Sequence, residues 1–205
     1  MFPFLTAFMI FIVVTTILRT KATRDEKART EAFWNRENEA NNTRRADLSL
    51  LSYYSFPCET LPAFPEDPEL SPAYEELTSL CKKRMLNLNG LSNTDLKLKY
   101  GPQNLEELTV YGDNFAALES ALLSYGKLLN EKGKRQDAEK VLEKGIALPT
   151  ELMENYELLA AWYREEGADR KLQGLKSMAE ANLQGYAKDA VIKALSDSAG
   201  RAEIA

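Results

Sequence analysis

The architecture of this chain follows from a segment that repeats after 34 positions: ALLSYGKLLNEKG (residues 121–133) and NYELLAAWYREEG (residues 155–167). Five positions keep their character in the two segments: large apolar, large apolar, small, large apolar and glycine. They are Leu122, Tyr125, Gly126, Leu129 and Gly133 in the first segment and Tyr156, Leu159, Ala160, Tyr163 and Gly167 in the second. The first four have the i, i+3, i+4, i+7 spacing of one helix face. A fixed period of this length predicts stacked helical hairpins.

The small residue and the glycine have separate roles in such a hairpin. Gly126 lets the neighbouring helix approach closely, and Gly133 lies where the chain leaves the first helix with a positive φ. A second helix follows in the first unit and Pro149 ends it; its apolar face is Ala138, Val141, Leu142, Gly145 and Ile146.

This pattern resembles the tetratricopeptide repeat (TPR) family. The first unit matches at Leu122, Tyr125, Gly126, Leu129, Ala138, Leu142 and, one place early, Pro149. The second unit matches in its first helix and departs in its second, where Leu172 and Lys176 occupy the Ala and large apolar places. The resemblance implies an all-α hairpin array with repeats at about 119–152 and 153–186, and a binding role. A generic helical bundle is the alternative.

Two repeats cannot bury a solenoid core unaided, so flanking helices must cap them. The candidates are residues 73–89 and 102–111 before the repeats and a helix from Tyr186 that Gly200 closes. The predicted helical domain therefore spans residues 73–205. The whole chain, with LNLNGLSNTDL at residues 86–96, also resembles small membrane-anchored bacterial proteins with TPR-like domains. That second resemblance implies no biochemistry.

Residues 2–18 contain no charged side chain, and a helix of that length spans about 26 Å. This is near the lower limit for crossing a bilayer. Five basic residues follow, namely Arg19, Lys21, Arg24, Lys27 and Arg29. The segment 1–18 is therefore predicted to be a transmembrane anchor in contact with membrane lipid through residues 2–18. The protein would be single-pass in the plasma membrane, with the N-terminus outside and a cytoplasmic C-terminal domain. A reducing cytoplasm argues against a Cys58–Cys81 disulfide.

Two segments connect the anchor to the helical domain. Residues 19–45 lack Gly and Pro and predict a helical stalk, on which Phe33 and Trp34 are the large apolar side chains. We expect this pair to pack on the domain; a basic helix lying on anionic lipid is the alternative. Residues 46–72, which we call the strap, contain five prolines, five acids and no base. Their dense apolar residues predict a strap that lies against the domain, with a docking motif as the alternative.

The composition excludes most catalytic and metal chemistry. The chain has no histidine and two cysteines, and its net charge is −5. Without histidine, the commonest general base and metal ligand are missing. The acid pairs Glu75-Glu76, Glu106-Glu107 and Glu165-Glu166 are adjacent on helices, where side chains diverge by about 100°. We therefore expect no enzyme, no cofactor, no metal and no nucleic-acid partner.

The sequence predicts a membrane-tethered TPR-like adaptor that binds an unknown protein partner at the cytoplasmic membrane face. A structural subunit of a larger membrane complex and an unrecognised enzyme are the alternatives. The predicted binding stripe lies beside the core positions on the first helix of each unit: Ser120, Leu123, Lys127, Asn130, Glu131, Glu154, Glu157, Ala161, Arg164 and Glu165. Its two bases and four acids predict a basic or mixed partner segment. A groove of two repeats that is too short to bind is the competing view. A second candidate docking surface is Phe33, Trp34, Tyr53 and Tyr54.

Overall fold

The computed structural model describes residues 2–148 and 152–197, except for the side chains of residues 2, 3, 5, 6 and 197. Regular structure within these residues is helical, which confirms the all-α class. The helices are α1 (Phe2–Asn41), α2 (Leu70–Cys81), α3 (Asn93–Tyr100), α4 (Leu105–Glu131), α5 (Arg135–Ala147), α6 (Met153–Glu165), α7 (Asp169–Asn182) and α8 (Gly185–Asp197). Short 3-10 helices lie at Leu48–Leu50, Cys58–Thr60 and Pro102–Asn104. The predicted helix breakers Pro149 and Gly200 lie outside the described residues.

The structure corrects the predicted membrane anchor. Among the described residues, none of the helices combines the length and the apolar character that crossing a membrane requires. The charged residues Arg19 and Lys21 follow the apolar segment directly, within the same helix. The predicted anchor over residues 1–18 and the single-pass plasma-membrane topology that depended on it are therefore wrong.

The chain divides into two compact units, and the first consists of Met1–Leu51 and Gly90–Leu108. Its helix α1 continues past residue 18 to Asn41 and contacts α3. Helix α3 begins with a capping box in which the Ser92 hydroxyl accepts from the Asp95 amide and the Asp95 carboxylate accepts from the Ser92 amide. The alternating Leu96, Leu98 and Tyr100 therefore lie on a helix, because the cap supplies the first turn's missing partners.

The second unit consists of Ser52–Asn89 and the described residues from Thr109 onward. Its helices recur with the predicted period: α4 and α6 end at Glu131 and Glu165, and α5 and α7 begin at Arg135 and Asp169. Both intervals are 34 residues. Gly133 and Gly167 lie in the turns with φ of +73° and +66°, a region that side chains rarely adopt. The core positions of the repeats are buried, including Leu122, Tyr125, Leu129, Ala138 and Leu142 in the first.

The strap forms part of the core of the second unit from residue 52 onward. Phe56, Cys58 and Leu61 are at most 8% exposed and belong to the same apolar cluster as the repeat residues. The Tyr54 amide donates to the Met85 carbonyl, and the Tyr125 hydroxyl donates to the Pro62 carbonyl at 2.7 Å. This part of the strap therefore lies against the helices, as predicted. Because it supplies core side chains, the expectation that residues 73–205 would fold alone is not supported.

Two predicted capping helices differ from the structure in their bounds. Helix α2 begins at Leu70 and ends at Cys81, so it does not reach Asn89. The chain after it turns so that the Leu86 amide donates to the Tyr111 carbonyl, and Met85 is fully buried without belonging to a helix. The predicted short helix 102–111 is instead the start of α4, which has 27 residues and crosses the boundary between the units.

Cys58 and Cys81 form a disulfide with Cα atoms 6.3 Å apart, within the usual range of about 4.4–6.8 Å. The bond joins the strap to the last residue of α2. The expectation that these cysteines would remain unbonded is therefore wrong. That expectation rested on the cytoplasmic location, which depended on the anchor.

Candidate functional site

The predicted binding stripe lies on α4 and α6, and the packing of the hairpins decides its shape. A Cβ atom built on Gly126 would lie 2.5 Å from Leu142 Cδ2, so α4 and α5 approach each other at the small residue of the repeat. Helix α6 contacts α5, α7 and α8. The first helix of the second hairpin therefore packs among α5, α7 and α8.

The structure brings the two halves of the predicted binding stripe together at one ion pair. The ammonium of Lys127 on α4 donates to the carboxylate of Glu154 on α6. Leu123 is 8% exposed and belongs to the core, so it presents almost no surface to a partner.

The remaining cation and one further acid of the stripe are also engaged within the protein. Arg164 donates through Nη2 to the Leu195 carbonyl of α8 at 2.9 Å. Glu165 accepts from Arg135 of α5 at 2.6 Å. Arg135 also lies 4.8 Å from the centre of the Trp162 ring, a cation–π geometry. These contacts hold α5, α6 and α8 together and direct both guanidinium groups toward acceptors within the protein.

Ser120, Glu131, Glu157 and Ala161 remain exposed, and Asn130 is half-buried. Neither Glu131 nor Glu157 takes part in an ion pair among the described residues. The accessible charge of the predicted binding stripe is therefore negative, although its formal composition is mixed.

A pocket of about 360 Å³ between α2 and α4 extends from the predicted binding stripe, and the sequence reasoning missed it. Ser120 belongs to both, and small or apolar side chains make up most of the lining: Ala73, Leu80, Ala117, Ala121, Ser124 and Leu128. The spacing of Ala117, Ala121 and Ser124 along one face of α4 was the available signal. Glu76 is the charged residue in the lining and is exposed.

The second candidate docking surface draws its residues from both units. Phe33 and Trp34 belong to the first unit, are 55% and 57% exposed, and stack edge to face on each other. Tyr53 and Tyr54 belong to the second unit, where their rings contact those of Tyr111 and Phe115. These two tyrosines are half-buried core contacts of the strap.

The ionisable groups of the repeats are arranged for packing. Burial, followed by the nearby charge of Glu119, raises the pKa of Tyr156 to about 12, so the phenol stays neutral. Burial raises the pKa of Tyr163 as well, helped by its hydrogen bond to Glu143 at 2.8 Å. No cluster of three or more carboxylates or thiolates suited to a metal occurs within residues 2–148 and 152–197.

Comparison with known proteins adds no further constraint on this site. No protein-family model, curated protein or solved structure matches the chain.

Proposed function

We propose that the second unit is a protein-binding adaptor that holds a basic segment of its partner across α4 and α6. One observation carries this proposal: both cations of the predicted binding stripe, Lys127 and Arg164, bond to acceptors of the protein itself. Glu131 and Glu157 stay exposed beside them. A surface with free acids and internally bonded bases attracts Lys- and Arg-rich segments and repels acidic ones.

The architecture supports the same role. Two hairpins, closed at Gly133 and Gly167, follow each other at an interval of 34 residues, and Lys127 of the first bonds to Glu154 of the second. Arrays of this kind form extended surfaces that bind peptide segments. The pocket between α2 and α4, which includes Ser120 of the stripe, gives an apolar side chain of the partner a place to insert.

The test uses charge reversal in the full chain. The variant Glu131→Lys/Glu157→Lys should bind a fluorescent Lys/Arg-rich peptide about tenfold more weakly by anisotropy, since an exposed ion pair contributes up to about 1 kcal/mol. Glu180→Lys on α7 is the matched control, because Glu180 is exposed and lies outside the stripe. Circular dichroism checks that both variants stay folded.

Two results would contradict the proposal. One is equal binding of an acidic peptide of the same length; the other is equal weakening by Glu180→Lys and by the double variant. Recovery of the chain with a partner in fixed stoichiometry would instead indicate a structural subunit.

A further inference from the structure

The disulfide between Cys58 and Cys81 joins two segments of different character. Cys58 lies in the strap, in a single 3-10 turn, whereas Cys81 is the last residue of α2. Residues 52–69 contain no α-helix, so few backbone hydrogen bonds hold the strap in place. The bond closes a loop over a sequence separation of 23 residues.

The two sulfur atoms differ in access. Cys58 is 4% exposed and belongs to the core, whereas Cys81 is half-buried at its edge. A pocket of about 500 Å³ opens beside them and is lined by Glu59, Tyr74, Thr78 and Lys82 as well as both cysteines. An incoming thiolate can therefore approach Cys81 more readily than Cys58.

We propose that Cys58–Cys81 is a reversible thiol–disulfide site, reduced by a dithiol that enters this pocket and attacks Cys81 Sγ, and that the bond controls release of residues 52–64 from the core. In the first step the dithiol's thiolate bonds to Cys81 Sγ while the Cys58–Cys81 bond breaks, and Cys58 leaves as a thiolate that takes a proton from water. In the second step the other thiolate of the dithiol attacks the dithiol's first sulfur, which is bonded to Cys81 Sγ in the mixed disulfide. Cys81 then leaves as a thiolate. Two electrons pass from the dithiol, which becomes a disulfide, to the protein, which becomes a dithiol.

The strap is the element that responds to this reaction. With the bond intact, opening the strap is opposed both by burial of Phe56 and Leu61 and by the covalent closure. After reduction, burial and a few hydrogen bonds remain, among them Tyr125 Oη to the Pro62 carbonyl. Loop closure of this length changes an opening equilibrium roughly a hundredfold.

The first experiment treats the full chain with dithiothreitol and follows chymotrypsin cleavage at the aromatic residues of 52–64. Cleavage there should accelerate at least tenfold on reduction, while cleavage at Tyr186, 87% exposed on α8, should not change. Maleimide labelling after denaturation should count no thiols before treatment and two after it. The variant Cys58→Ser/Cys81→Ser should show the fast cleavage with and without dithiothreitol.

The second experiment tests which sulfur is attacked. In the native protein, maleimide should label Cys81 in the Cys58→Ser variant at least tenfold faster than it labels Cys58 in the Cys81→Ser variant. Two thiols in the untreated protein, unchanged strap cleavage on reduction, or faster labelling of Cys58 would each overturn the proposal. Equal acceleration at Tyr186 would also overturn it, because the bond would then support the whole unit and not the strap.

Discussion

At the scale of single residues, substitutions at two of the glycines inside helices of the repeats should have opposite effects. A Cβ on Gly126 would meet Leu142 Cδ2 at 2.5 Å, and Leu142 is fully buried. A Cβ built on Gly174 of α7 would have no neighbouring atom within 4 Å. We expect Gly126→Ala to lower the free energy of unfolding by about 1–3 kcal/mol through overpacking. Gly174→Ala should raise it by about 0.5–1 kcal/mol, because alanine favours the helix. Urea unfolding of the two variants measures both, and equal signs would contradict the close approach of α4 and α5.

At the scale of elements, the contact between α1 and α3 should depend on pH. Glu37 of α1 accepts from the Lys97 ammonium and from the Thr94 hydroxyl at 2.8 Å, and these bonds hold the pKa of its carboxyl below its ordinary value of 4.5. Because the folded pKa is lowered, this stabilisation is present above pH 4.5 and is lost as the pH falls through the folded pKa. We therefore expect hydrogen exchange of the α3 amides in the unmodified protein to accelerate below pH 4.5 relative to the same amides in Glu37→Gln. The two proteins are compared at each pH, so that the intrinsic exchange rates cancel.

The matched control for that experiment is Glu31→Gln, since Glu31 is exposed on the same helix. Some pH dependence should survive in Glu37→Gln, because hydrogen bonds from Ser92 and Arg36 also lower the pKa of Asp95. If the α3 amides exchange at the same rate in the unmodified protein and in Glu37→Gln at every pH, the Glu37–Lys97 pair contributes nothing to the stability of α3.

At the scale of the whole molecule, the strap decides what can fold. Residues 73–205 lack Phe56, Leu61 and Leu70, which are at most 8% exposed. Burial of one such side chain contributes about 1.5–3 kcal/mol, so the loss is comparable with the stability of a typical domain, about 5–15 kcal/mol. We expect residues 73–205 to melt without cooperativity by circular dichroism, whereas residues 46–205 should retain a transition. Cooperative melting of the shorter chain would place these side chains outside the essential core.

The sequence pattern predicted the repeat helices well because each helix is specified by residues that lie close together in the sequence. The spacing of Tyr125, Gly126 and Leu129 specifies one helix face and one close approach, and the structure shows both. The same pattern predicted a wrong helix end where a contact with a residue distant in the sequence determines the backbone conformation. Met85 continues the periodicity of α2, yet its carbonyl accepts from the Tyr54 amide and the helix has already ended. The residues at 91–101 are compatible with a strand or with a short helix capped at Ser92, Asn93 or Thr94, and the Ser92–Asp95 capping box shows that they begin a helix.

The candidate site was predicted only in part for the same reason. The sequence placed Lys127 and Glu154 on one stripe, but it could not show that they bond to each other and leave Glu157 free. The disulfide and the exposure of Trp34 likewise depend on which segments meet in space.

The order in which the chain visits its two units also affects its synthesis. All residues of the first unit have been made once the ribosome passes Leu108, whereas the second unit's core still lacks its last described member, Leu195. The intervening 87 residues take roughly 4–17 s to translate at about 5–20 residues per second. In the first part of that interval Phe56 and Leu61 have no repeat to pack against, and both cysteines have already been made. Nascent chains of this protein therefore present an unburied apolar strap, which is the kind of surface that chaperones bind.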